Sequence, residues 1–268
     1  MDWTTAMERW VVAQRGSGSP RTTIRTRTQH LRQLAVAYPD RSPWALTAED
    51  LLSWAAAHDW APETRHSVRT TLRSFYGWAA DAGHVLASPA AKLPRVRRTA
   101  PRPRPLPDGI YADAFRRAGK RERLIMRLAA EAGMRRGEIA QAATWDLMDD
   151  LDGWSLEVHG KGGKTRLVPL TEGLALELLA LPPGYFFPGK DHGHLSAQHV
   201  GDLISALLPA GWTLHHLRHR FATRAYAVDR DVFTVQALLG HASADTTRRY
   251  VQPPQGAARR LVAAVAGP

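Results

Sequence analysis

The fold of this chain is decided by two stretches of sequence, HHLRHRFAT at residues 215–223 and LLGHASADTTRRY at residues 238–250. The first stretch begins a predicted helix, in which His215 and Arg218 lie three residues apart and project from one face. Side chains placed in this way can converge on one small anion. Taken alone, the pattern is more often a polar helix start with a hydrogen-bonded histidine, and Tyr250 is more often a surface aromatic residue.

Two further patterns upstream place charged side chains at turns. The sequence GMRRGE, residues 133–138, puts Arg135 at a turn between helices and three residues before Glu138. The sequence GKGGKTRLVPL, residues 160–170, puts Lys161 at the tip of a hairpin whose glycines allow a tight turn. In isolation, the first pattern is usually an ordinary ion pair on one helix and the second a solvated lysine.

The four patterns, in this order, resemble the motifs of the tyrosine recombinase family, which includes phage integrases and Xer-like enzymes. The family's second arginine box reads H-x-L-R-H, then an aromatic residue, Ala and Thr, and residues 215–223 match it. Its tyrosine box reads L-L-G-H, a Thr pair and a Tyr nine residues after the His, as His241 and Tyr250 do here. The first arginine box and the lysine hairpin match as well. The segment before residue 92 also resembles the family's core-binding domain, so the resemblance covers nearly the whole chain.

The resemblance implies a site-specific DNA recombinase in which Tyr250 attacks a phosphodiester and forms a 3′-phosphotyrosine. Arg135 and Arg218 are expected to donate hydrogen bonds to the non-bridging oxygens and to offset the charge of the pentacoordinate transition state. A phenol with a reference pKa of about 10 must lose its proton as it attacks. The other expected site residues are His215 as the proton acceptor, Lys161 as the acid that protonates the leaving 5′ oxygen, His241 as a hydrogen-bond donor to the phosphate, and Glu138 as an orienting carboxylate.

This chemistry needs no cofactor. The covalent intermediate keeps the energy of the phosphodiester bond, so rejoining requires no ATP. We expect no metal either, because two arginines, a lysine and histidines supply the positive charge. The histidines at 192, 194 and 199 lack a fixed helical spacing, so they do not predict a metal site.

The composition favours a nucleic-acid partner. The chain has 268 residues, with 36 Lys and Arg against 25 Asp and Glu, and a formal net charge of +11. Each contact between a basic side chain and a DNA phosphate releases condensed counterions, so a surplus of positive charge favours DNA binding. A GC-rich genome that encodes many arginines is the alternative explanation for the surplus. Cysteine is absent, which excludes disulfides, cysteine-ligated zinc and thiol nucleophiles. No apolar stretch reaches about 18 residues and the N-terminus has no apolar signal segment, so we expect a cytoplasmic protein without a membrane partner.

A segment rich in Pro and Arg, KLPRVRRTAPRPRPLP at residues 92–107, divides the chain. Its prolines bar a continuous helix and indicate an exposed linker, in which Arg97 and Arg98 are expected to contact DNA. The fold class expected from the resemblance is mainly α: a helical, SAM-like core-binding domain at residues 1–91 and an α+β catalytic domain at residues 108–268. The catalytic domain is expected to have the DNA breaking-rejoining fold with a small antiparallel sheet.

Two predicted helices of the first domain carry arginine stripes opposite their apolar faces. The stripes have almost no acidic partners, which favours contact with DNA phosphates over a merely solvated polar face. The candidate DNA-binding residues are Arg21, Arg25 and Arg32 on a helix that starts with Ser19 as N-cap and Pro20 as first residue, and Arg65, Arg69 and Arg73 on a helix over residues 63–82.

Periodicity and capping signals predict the remaining elements. Thr47 is predicted to cap a helix and Asp50 to complete a capping box. Further helices are predicted from residue 136 and over 121–132, 172–181, 197–208, 214–228, 231–239 and about 257–265, and strands over 154–159 and 165–170.

The resemblance also implies the partner and the assembly. The partner is double-stranded DNA, with four protomers acting on two DNA sites and a monomer free in solution. Residues 251–268 are expected to form a helix that docks either on a neighbouring protomer or on its own domain. The core-binding helices begin almost at residue 1, which leaves no room for an arm-binding domain. A compact phage integrase is therefore expected, with an Xer-like resolvase as the alternative.

Two rival functions remain at this stage. A type IB topoisomerase shares the catalytic residue types but reseals a single duplex, whereas the separate core-binding domain and the tyrosine box favour recombination. A non-catalytic DNA-binding regulator on the same fold is disfavoured because the whole catalytic set is present.

Overall fold

The computed structural model describes residues 1–97, 104–160 and 163–240. The chain divides into two compact units, Met1–Ala100 and Pro101–Pro268, and the division falls within the predicted linker. Among the described residues, no helix is both long and apolar enough to cross a bilayer.

The first unit is helical and is built around an aromatic core. Its helices are α1 (Trp3–Gly16), α2 (Arg21–Ala37), α3 (Ala48–Ala56) and α4 (Pro62–Asp81), with a short 3-10 turn at Pro43–Ala45. Phe75 of α4 is fully buried and lies at the centre of the core. The rings around it, at centroid distances of 5.1 to 6.2 Å, are those of Trp3, Trp10, Trp44, Tyr76 and Trp78.

The helix starts test two capping predictions. The capping box of Thr47 and Asp50 is confirmed, and the Asp50 carboxylate also accepts a hydrogen bond from Arg41 at 2.7 Å. The prediction for α2 is wrong by one residue. Pro20 is the N-cap with an extended ψ of 141°, and the Ser19 hydroxyl donates to Gln14 at 3.3 Å instead of accepting from the helix.

The second unit contains the remaining described helices around a main apolar core, with a smaller apolar cluster between the last two of them. They are α5 (Asp108–Arg117), α6 (Lys120–Ala130), α7 (Arg136–Gln141), α8 (Glu172–Leu179), α9 (Ala197–Ser205), α10 (Leu214–Asp229) and α11 (Val232–Leu239). The helices α6 and α8 to α11 agree with the sequence predictions to within three residues at each end, and α7 begins at the predicted residue 136. No specific helix was predicted at the position of α1 or of α5. The predicted helix near residues 257–265 lies outside the described residues.

A small antiparallel sheet lies in this unit. Its strands are β1 (Leu147–Asp150), β2 (Gly153–His159) and β3 (Thr165–Pro169), in the order β1-β2-β3. Leu156 faces Val168 across β2 and β3, and both side chains are buried, so this face of the hairpin packs on the core. The mainly helical fold with one small antiparallel sheet is confirmed. The sequence did not reveal β1, because most of its side chains are exposed and it lacks alternation.

Both ends of the predicted linker pack against the units that they join. Leu93 is buried in the first unit and Leu106 in the second, because each apolar side chain finds a core beside it. The backbone N–H of Leu106 donates to the carbonyl of His216 at 3.1 Å, and the Arg104 guanidinium lies 4.1 Å from the ring centre of Trp212. The exposed linker is therefore shorter than 92–107, and its second end lies along the start of α10.

Candidate active site

The predicted catalytic and orienting residues that the structure describes come together in the second unit. Arg135 is the N-cap of α7, Glu138 lies in the first turn of that helix, and His215 and Arg218 lie near the start of α10. Arg135, His215 and Arg218 line one cleft of about 530 Å³. The other three predicted catalytic residues lie outside the described residues: Lys161, His241 and Tyr250.

The carboxylate of Glu138 is the centre of this arrangement. Its side chain is only 5% exposed and lies among three arginines. Arg135 Nη1 donates to Oε1 at 2.6 Å, and Arg166 donates from Nη1 and Nη2 to the two oxygens at 3.1 and 2.8 Å. Arg218 Nη1 lies 3.7 Å from Oε2. A buried carboxylate without such partners would cost several kcal/mol, so the arginines and Glu138 require one another.

Glu138 is held in its ionised form. Burial alone would raise the pKa of this carboxyl, but the hydrogen bonds and charge of Arg166, together with the charge of Arg135, more than offset that effect. The pKa therefore lies below its ordinary value. Glu138 also accepts the backbone N–H of Arg135 at 2.9 Å, which caps α7. A permanently charged, fully engaged carboxylate can orient arginines but is unsuited to proton transfer.

Arg218 lies beneath the cleft and is 1% exposed. It donates to two backbone carbonyls, those of Gly133 and of Leu239, the latter at 2.6 Å. Gly133 has φ +63°, and a Cβ there would lie 2.5 Å from the Phe221 ring, so only glycine fits. The glycine of the first arginine box thus lets the chain pass close to α10, where the Gly133 carbonyl accepts a hydrogen bond from Arg218.

Arg135 opens to the cleft, with 40% of its side chain exposed, and the exposed Arg136 lines the same cleft. Glu138 engages one nitrogen of its guanidinium, and a guanidinium has five N–H donors in a fixed planar arrangement. The remaining donors can therefore reach an anion in the cleft. On the opposite wall, α9 contributes Gln198, Gly201, Asp202 and Ser205.

His215 lies in the cleft next to the arginines. Its ring is in edge contact with that of His219, with centroids 4.5 Å apart. One side of His215 opens to the cleft, while partial burial and then the positive charge of Arg218 lower its pKa to about 4. The imidazole is therefore neutral at neutral pH and has a nitrogen lone pair that can accept a proton.

Arg166 of β3 is the site residue that sequence reasoning missed. It is the arginine of the lysine-hairpin motif, and the motif alone predicts no role for it. Its Nε donates to the carbonyl of Leu238 at 2.7 Å, and its other donors bind Glu138. The available signal was its place two residues before the apolar Val168, which puts both side chains on the same face of the strand.

The candidate DNA-binding arginines of α2 lie beside a groove of the first unit. Arg21, Arg25 and Arg32 are exposed, and they line a groove of about 770 Å³ together with Arg15 of α1. Within the described residues, no carboxylate forms an ion pair with any of them at 4.0 Å or less. Arg97 is exposed, and Arg98 lies outside the described residues.

The arginines of α4 have backbone carbonyls of their own unit as acceptors, which the sequence analysis did not foresee. Arg69 donates twice to the Leu93 carbonyl at 2.9 and 3.1 Å, and Arg73 donates to that of Ala91 at 2.5 Å. Arg65 donates to the carbonyl of His58 at 3.0 Å. The His58 carbonyl follows the end of α3, and those of Ala91 and Leu93 lie in the turns that lead into the linker. Carbonyls at such positions have no N–H donor from a following helical turn. The three arginines therefore have a structural role in binding these carbonyls, and their contact with DNA stays a prediction.

Comparison with known sequences gives a consistent result. The profile of the phage integrase family matches residues 110–255. The tyrosine recombinase XerC of Methylobacterium nodulans is 34% identical over 237 residues, which cover 78% of this chain and 73% of that protein. XerC of Methylobacterium sp. strain 4-46 is 36% identical over 208 residues, which cover 68% of this chain and 64% of the relative, slightly less than two thirds of its length.

Comparison with solved structures supports the fold. A lambda integrase fragment, solved as a dimer bound to a COC′ core site, superposes with a TM-score of 0.76 at 20% identity over 95% of this chain and 97% of that one. XerH recombinase bound to its difH substrate superposes with a TM-score of 0.69 at 19% identity, over 93% of this chain and 80% of that one. Because the family profile covers more than half of the chain and a curated relative is 34% identical over most of it, the chain belongs to the phage integrase family, the tyrosine recombinases, which are DNA strand-transferring enzymes.

Proposed function

We propose that this chain is a site-specific DNA recombinase, of the compact phage integrase type, that cleaves and rejoins DNA through a 3′-phosphotyrosine at Tyr250. The observation that carries the proposal is the cluster of Arg135, Glu138 and Arg218 beside a cleft that also contains the neutral His215. Three arginines around one carboxylate leave two uncompensated positive charges next to the cleft, where a phosphodiester anion would bind.

The arginines would act on the charge of the transition state. Attack on a phosphodiester builds negative charge on the non-bridging oxygens, and prepositioned N–H donors stabilise that charge more than they stabilise the ground state. Arg135 is exposed to the cleft and Arg218 lies at its floor, so the two would hold the phosphate from different directions. Glu138 would keep both guanidiniums in place without taking part in proton transfer.

The remaining steps need proton transfer at two oxygens. His215 would accept the phenolic proton of Tyr250 as it attacks, since its imidazole is neutral. Lys161 would protonate the departing 5′ oxygen, and His241 would hydrogen-bond the phosphate, both by resemblance to the family. A new 5′ hydroxyl would then attack the phosphotyrosine and restore the phosphodiester, so the reaction needs neither ATP nor a metal ion.

The partner would be double-stranded DNA. The net charge of +11 and the exposed arginines along the groove beside α2 support phosphate contacts by the first unit. Arg97 and Arg98 would add contacts in the linker. One similar structure is a lambda integrase tetramer bound to a Holliday junction, and we propose that four copies of this chain likewise act on two DNA sites, with residues 251–268 linking neighbours or docking on their own domain.

An Xer-like recombinase is the second candidate. It is favoured by the curated relatives, which are XerC proteins with 30 to 36% identity. The two candidates share the same catalytic chemistry and differ in the DNA site on which they act. A type IB topoisomerase or a non-catalytic regulator would be separated from both by the first experiment below.

The covalent intermediate is the first test. The substrates are pooled nicked duplexes that together cover the DNA flanking the gene. Cleavage near a nick traps the covalent product, because the short strand between the cleavage site and the nick diffuses away. We expect the wild type to form a protein–DNA adduct that survives denaturing electrophoresis, and Tyr250→Phe to form none. Sequencing the trapped DNA identifies the site. Equal adducts from both proteins, or none from the wild type, would contradict the proposal, and adducts on every duplex without strand exchange would indicate a topoisomerase.

The groove beside α2 gives a second prediction. Arg21→Ala combined with Arg25→Ala should weaken binding to a 30-base-pair duplex, with the slope of log affinity against log salt reduced by about 2. Fluorescence anisotropy over a salt series measures both quantities. The matched control is Arg116→Ala combined with Arg121→Ala, since these exposed arginines have acidic partners at Asp113 and Glu122. An unchanged salt slope in the α2 variant would remove these arginines from the DNA interface.

The third prediction concerns the protonation of His215. Its pKa of about 4 lies below the ordinary value of 6.5, so the proton-accepting form is fully present above pH 5 and is lost only as the pH falls through 4. Carbon-13-edited NMR of the imidazole, assigned with His215→Gln, should show no titration of this residue between pH 5.5 and 8. A midpoint near 6.5 would mean that neither the burial of the ring nor the charge of the arginines lowers its pKa as described.

A further inference from the structure

The side chain of Arg166 joins three segments of the second unit. It projects from β3, its Nη1 and Nη2 donate to the two oxygens of Glu138 on α7, and its Nε donates to the carbonyl of Leu238 at the end of α11. Only 10% of the side chain is exposed. The guanidinium therefore connects a strand, the arginine box and the last turn of the helix that precedes residue 241.

The end of α11 lies directly against this guanidinium. Gly240 caps the helix in the left-handed conformation, with φ +60° and ψ 49°. A Cβ at Gly240 would lie 3.0 Å from both Cδ and Nη1 of Arg166. A side chain at Gly240 would therefore have to push the guanidinium or the helix end aside by a few tenths of an ångström, so the positions of Arg166 and of the helix end depend on each other.

The backbone of Arg166 is held by the sheet. It pairs with Val158 in the antiparallel register of β2 and β3, and Val158 is buried in the core. The guanidinium thus projects from a rigid ladder and not from a loop. Arg218 adds a parallel link, since it donates to the next carbonyl, that of Leu239. Two arginines therefore hold consecutive carbonyls at the negative end of α11.

We propose that Arg166 is a positioning residue for DNA strand cleavage, which holds Glu138, and through it Arg135, in fixed register with the end of α11. The inference rests on the strand-cleavage function proposed above. A lysine could not replace Arg166, because an ammonium group presents its three donors at one point, whereas the contacts here require Nε, Nη1 and Nη2 in three directions.

The primary experiment measures single-turnover cleavage at saturating DNA by Arg166→Gln and Arg166→Lys, on the nicked duplex identified by adduct capture. Misplacement of a catalytic group by about 1 Å lowers rates by roughly a hundred-fold, and we expect a loss of that order in both variants. DNA affinity should change less than about three-fold, because only 10% of the Arg166 side chain is exposed. Circular dichroism and thermal unfolding identify the temperature range in which each variant is folded.

A second substrate separates positioning from a general loss of folded protein. A methylphosphonate at the cleavage site carries no charge, so its transition state depends less on a well-placed guanidinium than that of a phosphodiester. We expect the deficit of Arg166→Gln to shrink by about ten-fold on this DNA. A loss of folded protein would lower cleavage of both substrates by the same factor.

Gly240→Ala perturbs the same contact from the other side. The added methyl group must displace either the Arg166 guanidinium or the end of α11, and we expect a cleavage deficit that also shrinks on the methylphosphonate. Gly83→Ala is the matched control. Gly83 also follows a helix with a positive φ, of +72°, but a Cβ there meets nothing within 4 Å, so cleavage should stay at the wild-type rate.

Wild-type cleavage by folded Arg166→Lys would overturn the inference, and so would equal deficits on the two substrates. Either result would leave the proposed function intact, because the wild type would still form the Tyr250 adduct. Failure of the wild type to form any adduct would instead overturn the proposed function and this inference together.

Discussion

One buried carboxylate holds the catalytic half of this protein together. Glu138 accepts hydrogen bonds from Arg135 and Arg166 and lies 3.7 Å from a nitrogen of Arg218. Without its negative charge, three guanidiniums would repel one another in a region of low dielectric constant. Without the guanidiniums, the carboxylate could not remain ionised and buried. The four side chains come from α7, β3 and α10, so this interaction fixes the relative positions of those elements.

The same cluster accounts for the chemistry of the cleft. Its excess positive charge favours a bound phosphate, and burial together with that charge lowers the pKa of His215 and keeps its imidazole neutral. The buried arginines also extend the cluster to α11, because Arg166 and Arg218 donate to the carbonyls of Leu238 and Leu239. The helix that leads toward residues 241 and 250 is therefore attached to the groups that would bind the phosphate. In the proposed mechanism, structural support and catalytic positioning would come from the same few contacts.

The sequence predicted the parts of this arrangement that depend on side-chain type and spacing. The spacing of Arg135 and Glu138 indicated their pairing, and the alternating residues of the hairpin indicated the sheet. Contacts to backbone carbonyls could not be predicted, since every residue has a carbonyl and only the fold decides which ones lack a partner. The roles of Arg166 and of Arg69 were missed for this reason. The burial of Leu106 was missed because it depends on the position of α10, which the sequence of the linker does not encode.

The most direct test of the central role of Glu138 is a double-mutant cycle in the free energy of unfolding. Urea unfolding of the wild type, Glu138→Ala, Arg166→Ala and the double variant gives the coupling between the two side chains. Because the pair is buried and bidentate, the second substitution should cost much less once the first is present, with a coupling of about 2 kcal/mol. If the double variant instead loses the sum of the two single-variant losses in unfolding free energy, to within about 0.5 kcal/mol, the two side chains act independently. That result would contradict this account.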